Sequence, residues 1–498
     1  MLYFIGFGVA VVAPLLWLSQ DKQQRPPGPR RFPLLGNVLD ISVDDIWLLF
    51  SRWGKEYGSL VYIKIFNQPT LIINSHHIAV DLMTRRARVY SDRPWNYVAK
   101  ELLLGGHFMP FMDYNDRCRR LRRAAQEGFR KATLPRYRKI QQAEATRAAS
   151  ELLQHSANWV EHLSTTAAST IMSSVYGFPP TDDKNPDVQA IKQHTERIAR
   201  AIFPGTYLVD TFPWLRHLPA WLCSWHRDTH GFYAKDNAVV QRLFHSSETG
   251  PAVTFSRAVA EKVDEGLLDD GDAAWLCATL LQTSAALCWF ITSMVIHQDV
   301  QARAHDELDR VVGRNRLPSF DDKDNLPYLN AIVHEVLRWR PPLPIGVPHC
   351  LAVNDVYQGF HVARGTVCIP NIWGMNRDPD VWGTDAEMFR PERQLDEHGN
   401  LRSRILNTHD ESHTSFGFGN RVCPGKHFAG DTMFITCATI LWACKMSASR
   451  NVHGDLELPS EYAHTGTPMT LHPTPFPCEF SARFSDALSQ VSTERNTE

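Results

Sequence analysis

Phe416-Gly417-Phe418-Gly419-Asn420-Arg421-Val422-Cys423-Pro424-Gly425 is the stretch whose reading decides the fold. It sets one cysteine on a glycine-rich loop, immediately before the apolar pattern of a helix. A thiolate at such a place is stabilised by the N–H groups and the positive end of the helix dipole. Gly417 and Gly419 let the backbone pass close to a flat ligand, and Gly425 keeps the following turn narrow. Arg421, two residues before the sulfur, is placed to bind an anionic group at the ligand's edge. The competing reading is a buried structural cysteine.

The complete pattern Phe-x-x-Gly-x-Arg-x-Cys-x-Gly over residues 416–425 resembles the haem loop of the cytochromes P-450, the haem-thiolate monooxygenases. Ile345-Gly346-Val347-Pro348-His349 and Ile369-Pro370-Asn371-Ile372-Trp373 are similar to fungal members serving secondary metabolism. The resemblance implies a mainly α fold with a small β subdomain near the N-terminal end (α+β). It implies haem b between a long central helix and the loop. Cys423 would be the axial iron ligand, with Phe416, Gly417 and Arg421 against the cofactor.

Outward from the loop, Glu335 and Arg338 share one helical face. The spacing alone says little, because Glu127/Arg130, Glu144/Arg147 and Glu307/Arg310 repeat it. What distinguishes this pair is Trp339-Arg340-Pro341-Pro342, which ends the helix at once. By resemblance, Glu335, Arg338 and Arg393 form a buried charge network that supports the loop. Asp116–Arg123 resembles the helix beneath one haem edge, where Trp-x-x-x-Arg contacts a propionate. Arg122 is retained and Cys118 stands at the tryptophan position. His349 matches a second propionate contact. The arginines around Arg122, with Arg130 and Lys131, form either a docking face for an acidic electron donor or a solvated basic face.

Trp275–Ile296 carries no charge. Its flanks Asp270, Asp272 and Asp299 and its polar centre Gln282-Thr283-Ser284 argue for a helix through the protein interior rather than a second membrane span. Family members usually show Ala/Gly-Gly-x-Asp/Glu-Thr-Thr/Ser there. Aligned on Thr279–Ser284, Thr283 and Ser284 keep their hydroxyls, Gln282 replaces the acid, and Leu280 fills the glycine position. A one-residue shift puts Gln282 at the threonine position. Glutamine orders water but does not titrate, so a proton relay must use hydroxyls, water or substrate. The plainer reading is a Thr–Ser step bonding to its own helix.

A chain of 498 residues has room for two or three domains or one large one. No internal linker divides it, so residues 37–483 read as one haem domain. A net charge of −2 argues against bulk binding to nucleic acid or acidic lipid. Ten cysteines without a Cys-x-x-Cys pair argue against a disulfide framework or a zinc cluster and fit a reducing compartment. Residues 1–20 are uncharged and apolar, and read as a transmembrane anchor, with a cleaved signal as the alternative. Lys22, Arg25, Arg30 and Arg31 behind them keep the body cytoplasmic, on an endoplasmic reticulum membrane in the family resembled. Residues 21–36 read as a stiff proline-rich hinge. Leu60–Phe66 and Thr70–Asn74 read as a hairpin, Val353–Tyr357 and Thr366–Ile369 as strands, and 484–498 as a disordered tail.

The resemblance implies oxidation of a small lipophilic metabolite of terpenoid or polyketide type, using O2 and electrons from NADPH. The chain has no Gly-x-Gly-x-x-Gly, so the electrons arrive through a separate membrane-bound flavoprotein reductase. By family position, substrate contacts fall in Tyr97–Phe108, Phe203–Thr211, Leu276–Thr283, Leu343–Val347 and Thr465–Met469. Their apolar residues imply an apolar pocket. A haem-thiolate isomerase or dehydratase, and a non-catalytic haem sensor, are the alternatives.

Overall fold

The computed structural model describes residues 24–497, except 43, 179–184, 203–205, 248–253, 280–283, 403–411, 452 and 468–469. The expected anchor, residues 1–20, lies outside these. Among the described residues no helix is long and apolar enough to cross a membrane.

Twelve helices matter for the site. They are α1 (Ile46–Tyr57), α2 (Asp116–Phe129), α3 (Arg138–Gln154), α4 (Trp159–Tyr176), α5 (Pro186–Ala201) and α6 (Phe232–Ser246). The series continues with α7 (Asp270–Ala278), α8 (Ser284–Ile296), α9 (Gln298–Val311), α10 (Pro327–Trp339), α11 (Lys426–Ala443) and α12 (Ala487–Thr497). Sequence explains their packing. α1 buries Ile46, Trp47, Phe50 and Trp53, a stripe at helical spacing. α8 and α11 are apolar all round and accordingly lie inside; every residue from Ala285 to Val295 is buried. α10 opens on Pro327, and its first turn is capped by the Glu307 carboxylate of α9, which accepts from the N–H groups of Tyr328 and Leu329 at 2.9 Å each.

Strands β1 (Leu60–Ile65) and β2 (Gln68–Ile73) form the expected hairpin, pairing Leu60 with Ile73 and Ile65 with Gln68. The remaining strands are β3 (His349–Cys350), β4 (Asp355–Tyr357), β5 (Phe360–Val362), β6 (Val367–Pro370), β7 (Cys444–Ala448), β8 (His464–Thr467), β9 (Thr470–Pro473) and β10 (Cys478–Ala482). The main sheet runs β1-β2-β6-β3, with β2 parallel to β6 and β6 antiparallel to β3. The β structure is therefore not confined to the N-terminal end. β6 and β3 complete the first hairpin's sheet, and β4–β5, β7–β10 and β8–β9 form three more pairs.

Two sequence expectations change. The proline-rich stretch does not stand off the body: Tyr62 donates its N–H to the Pro27 carbonyl at 2.9 Å, and Arg25 and Arg31 both lie over the Tyr62 ring. The segment after Arg483, expected to be disordered, forms α12. Ala487 and Val491 are fully buried and draw this otherwise polar helix onto the core.

Two hydrophobic cores meet in the middle of the molecule. One gathers α8, α10, most of α11 and one face of the main sheet, whose other face packs in a third cluster with Tyr357, Val362 and Phe418; the other gathers α2, α7, part of α6 and Val98–Met112. Of the apolar run Trp275–Ile296, Trp275, Leu276 and Cys277 lie in one and the apolar residues of Ala286–Val295 in the other. α11 crosses between them, from Phe428 to Met433 and beyond. The cysteine loop thus feeds directly into the seam.

Candidate functional site

The loop is a tight return: the Cys423 N–H donates to the Phe416 carbonyl at 2.9 Å, and Cys423 is half-buried. Two residues later Gly425 caps α11, whose dipole places its positive end toward the sulfur. The two glycines do different work. A Cβ on Gly417, at φ 77°, would meet nothing within 4 Å, so that face is open to a ligand. Gly419, at φ 51°, is required by protein instead: its Cβ would lie 1.9 Å from the Met83 carbonyl oxygen. Phe416 packs on the first core with its ring 5.2 Å from that of His413.

Beneath the loop, Glu335 and Arg338 are wholly excluded from solvent. The Glu335 carboxylate accepts from Arg338 Nε and Nη2, from Arg393 Nε, from the Arg390 N–H and from Gln394 Nε2, at 2.7–3.1 Å. The remaining guanidinium donors of Arg338 reach the carbonyls of Asn376, Ala386 and Met388. Arg393 also reaches the carbonyls of Trp382 and Asp385 and the Asp385 carboxylate. Every buried charge here has partners, which is the condition under which such a network is tolerated.

Asn376 couples that network to the loop. Its side-chain oxygen accepts from the Thr414 N–H and hydroxyl, and its amide donates to Ser415 Oγ, which in turn donates to the Leu337 carbonyl. Nothing in the spacing of the sequence pointed to Asn376.

On the other flank three arginines and a histidine converge. Arg421 donates to the carbonyls of Ser91, Met109 and Met112, and its Nη1 lies 3.1 Å from Cys118 Sγ. Cys118, at the position where tryptophan was expected, is therefore an Arg421 contact. Arg122 donates to the Val422 carbonyl at 2.5 Å. Arg93, which the sequence reading missed, donates to the carbonyls of Pro110, Val347 and Pro348. His349 gives its Nδ1–H to the Tyr90 carbonyl at 2.6 Å, so Nε2 carries no proton in the neutral ring. All four are buried. Burial first, and one another's charge second, hold Arg93 well below the usual guanidinium range and lower Arg122; burial likewise lowers Arg421. Burial and the neighbouring arginines keep the His349 ring neutral.

Among the described residues no carboxylate pairs with Arg93, Arg122 or Arg421. Three buried cations relieved by carbonyl dipoles, by the Cys118 sulfur and by the Tyr114 ring, with no carboxylate paired to them, are a site for an anion. A cofactor bearing two carboxylates at one edge, as haem b does, fits them, with the Cys423 sulfur and the open Gly417 face alongside.

The distal candidates divide differently. Gln282 and Thr283 lie outside the described residues. Ser284 is the first residue of α8 and is half-buried. Thr279 donates its hydroxyl to the Trp275 carbonyl at 2.8 Å and so serves its own helix. Of the segments expected at the substrate, Val98, Ala99, Leu103, Leu104, Leu276 and Cys277 are packed in the second core. Thr467 lines a cleft with Ser284. Phe203 and Met469 lie outside the described residues.

Comparison with known proteins gives one family. A model of the cytochrome P450 family matches residues 26–468. A cytochrome P450 monooxygenase of Armillaria gallica is 39% identical over 481 residues, covering 94% of this chain and 93% of its own. Cytochrome P450 monooxygenase 58 of Postia placenta is 36% identical, covering 96% and 93%. Cytochrome P450 monooxygenase iboC of Amanita muscaria is 32% identical, covering 98% and 97%.

Proposed function

The chain belongs to the cytochrome P450 monooxygenases, enzymes that hold haem b on a cysteine thiolate, and from that premise we propose that it oxidises a small lipophilic secondary metabolite of terpenoid or polyketide type. The single observation that carries the site assignment is the buried, carboxylate-free cluster Arg93, Arg122 and Arg421 beside the Cys423 loop. In this reading Cys423 supplies the thiolate, the three arginines hold the propionates, joined by His349 Nε2 once the charge of a bound propionate has protonated that ring, and Gly417 leaves room for the ring of the cofactor. When bound, the haem thiolate supplies dioxygen activation and insertion of one oxygen atom into the substrate. The network of Glu335, Arg338 and Arg393, passed on through Asn376, keeps the sulfur in place. Ser284, with Gln282 and Thr283 before it, handles protons and water on the opposite side.

The substrate class is supported by the fungal relatives and by the apolar residues Val98, Ala99, Leu103, Leu104, Leu276 and Cys277 in the segments expected at the substrate. Electrons are assigned to a separate NADPH-dependent flavoprotein reductase. Arg119, Arg120, Arg123, Arg130 and Lys131 are exposed around the Arg122 helix and present a positive face to an acidic donor. Membrane attachment at the endoplasmic reticulum, with the body in the cytoplasm, is supported by exposed Trp214, Trp221, Leu222, Phe32 and Leu34. A ring contact of Phe66 with Phe212, at 5.7 Å, joins the regions that carry them.

Two experiments test this. The ferrous, carbon-monoxide-bound protein should show the red-shifted Soret band of thiolate ligation, and Cys423→Ala should abolish it. Microsomes containing the protein and a reductase, fed candidate metabolites under 18O2, should yield products heavier by one labelled oxygen. Turnover without label would instead support rearrangement or dehydration, a reading favoured by the acid-free segment Thr279–Ser284.

A further inference from the structure

A cleft of about 530 Å³ lies between α4, α5, the β8–β9 hairpin and the first residue of α8. Most of its wall is apolar, from α4 and α5. Besides Ser164 of α4 and Thr195 of α5, its polar groups form a series: Glu196 and Arg200, exposed on α5, then Thr467, Thr470, His472 and Ser284, all half-buried. Among the described residues the ionisable side chains on the wall are Glu196, Arg200 and His472.

The inner end is fixed by backbone. Strand alternation turns Thr470 and His472 toward the cleft and Leu471 into the core, where it is 1% exposed. Trp289 of α8 donates its Nε1–H to the Leu471 carbonyl at 2.9 Å, and the Leu471 N–H donates to the Pro342 carbonyl at 2.8 Å. His472 is thereby held against the helix that begins at Ser284. Among the described residues neither the His472 ring nor the Ser284 hydroxyl has a hydrogen-bond partner, so both are available to water in the cleft. Burial alone lowers the His472 pKa, which leaves a neutral imidazole able to accept a proton on one nitrogen and release one from the other.

Oxygen insertion has the balance RH + O2 + 2 e− + 2 H+ → ROH + H2O, so two protons must enter a water-poor site at each turnover. The segment Thr279–Ser284 contains no acid to carry them. We propose that this cleft is the proton-supply path of the oxidation, running from Glu196 at the rim through ordered water to His472 and on to Ser284 Oγ. The path rests on the oxygen-inserting reading above. His472 acts here through water and Ser284 and is a relay group, not a residue that touches the reacting atoms.

The test uses the full-length holoenzyme with a reductase and thioanisole as probe, comparing His472→Phe and Ala168→Phe with the unmodified protein. The first removes the relay group; the second fills the cleft and leaves His472 in place. Both should lower sulfoxide formed per NADPH by about fivefold or more, within the range of lost acid–base assistance, and divert the electrons to hydrogen peroxide. The solvent deuterium isotope effect on coupling should change, while the thioanisole dissociation constant from the spectral titration stays the same. Iodosylbenzene supplies an oxygen atom without electrons or protons (PhSMe + PhIO → PhS(O)Me + PhI), and with it both variants should match the unmodified protein. Unchanged coupling in both variants would overturn the path. So would an equal loss with iodosylbenzene, because that marks substrate placement. Iodosylbenzene turnover by the unmodified protein tests the oxygen-inserting reading separately, so a failure in the variants falls on the path alone. Where His472→Phe loads haem poorly by its carbon-monoxide spectrum, Ala168→Phe decides.

Discussion

The support beneath the cysteine loop and the cleft beside Ser284 are built on opposite rules. In the support, Glu335 and Arg338 are 0% exposed and their hydrogen-bonding groups are matched within the chain. In the cleft, His472 and Ser284 are half-buried and have no partner among the described residues. A satisfied buried charge network fixes one geometry whatever is bound, whereas unsatisfied half-buried groups wait for water or ligand. The Arg93, Arg122 and Arg421 cluster lies between these cases. Its donors meet carbonyls, but its charge is not neutralised. Rigidity sits where the sulfur must not move, and unmet hydrogen-bonding capacity sits where molecules must enter.

The largest expected effect breaks the rigid side. Arg338→Ala leaves Arg393 as the one cation on the buried Glu335 and orphans the carbonyls of Asn376, Ala386 and Met388, and should cost about 3–5 kcal/mol. The outcome is haem-free or unfolded protein, read by haem-to-protein ratio and the carbon-monoxide spectrum; full haem content would refute the support role. Asn376→Ala comes next. It leaves the ion network whole but removes the acceptor for Thr414 and the donor to Ser415. A loss of about 1–3 kcal/mol is expected, seen as a lower temperature of haem release with the ferric spectrum otherwise unchanged.

The arginine cluster sharpens the comparison, because its two states should respond oppositely. Arg122→Gln removes one of three crowded cations and a single carbonyl contact. Haem-free protein should be no less stable by thermal unfolding, since like-charge repulsion falls. Haem loss to an acceptor globin should be about tenfold faster, equivalent to about 1.4 kcal/mol. A parallel loss in both states would show that Arg122 serves packing rather than an anion.

How much of this was legible depended on where each partner lies along the chain. The cysteine loop was readable because its glycines, arginine and sulfur are contiguous. The Glu-x-x-Arg spacing was not decisive, and the structure shows why. Glu144 and Arg147 also form a buried ion pair, with Glu151 and Ser169, in α3 and α4. Glu307 instead caps α10, and Glu127 pairs with Lys262 on the surface. One spacing serves three ends, the buried ion pair twice, and only the tertiary partners tell the support of the loop from the rest. Arg93 and Asn376 left no pattern because what they bind is mostly backbone brought from distant segments. The C-terminal helix was misread because two small apolar contacts, Ala487 and Val491, outweigh a polar composition. The glycine at 419 was credited to a ligand when the Met83 carbonyl requires it.

The smallest effect concerns a contact between two segments expected at the substrate rather than either side of the sulfur. Asp210, on the short helix Leu208–Thr211, accepts the N–H groups of Tyr97 and Val98 at 2.5 and 3.2 Å. It thus ties together two segments expected at the substrate. Burial raises its pKa to about 6, against the opposing pull of those two N–H groups. A carboxyl whose pKa is higher in the closed form binds a proton more readily there than when released. Closure is therefore favoured below the released value near 3.8 and weakens as pH rises from there through about 6. Above that it is constant. The difference amounts to about 1–2 kcal/mol after allowing for solvent screening of a partly exposed group. Thioanisole association, followed by stopped-flow between pH 5 and 8, should quicken by up to about tenfold across that window. Asp210→Asn keeps an acceptor and removes the charge, so its profile should be flat and slow throughout. A variant as pH-dependent as the parent would assign the titration to another group and leave Asp210 a plain structural cap.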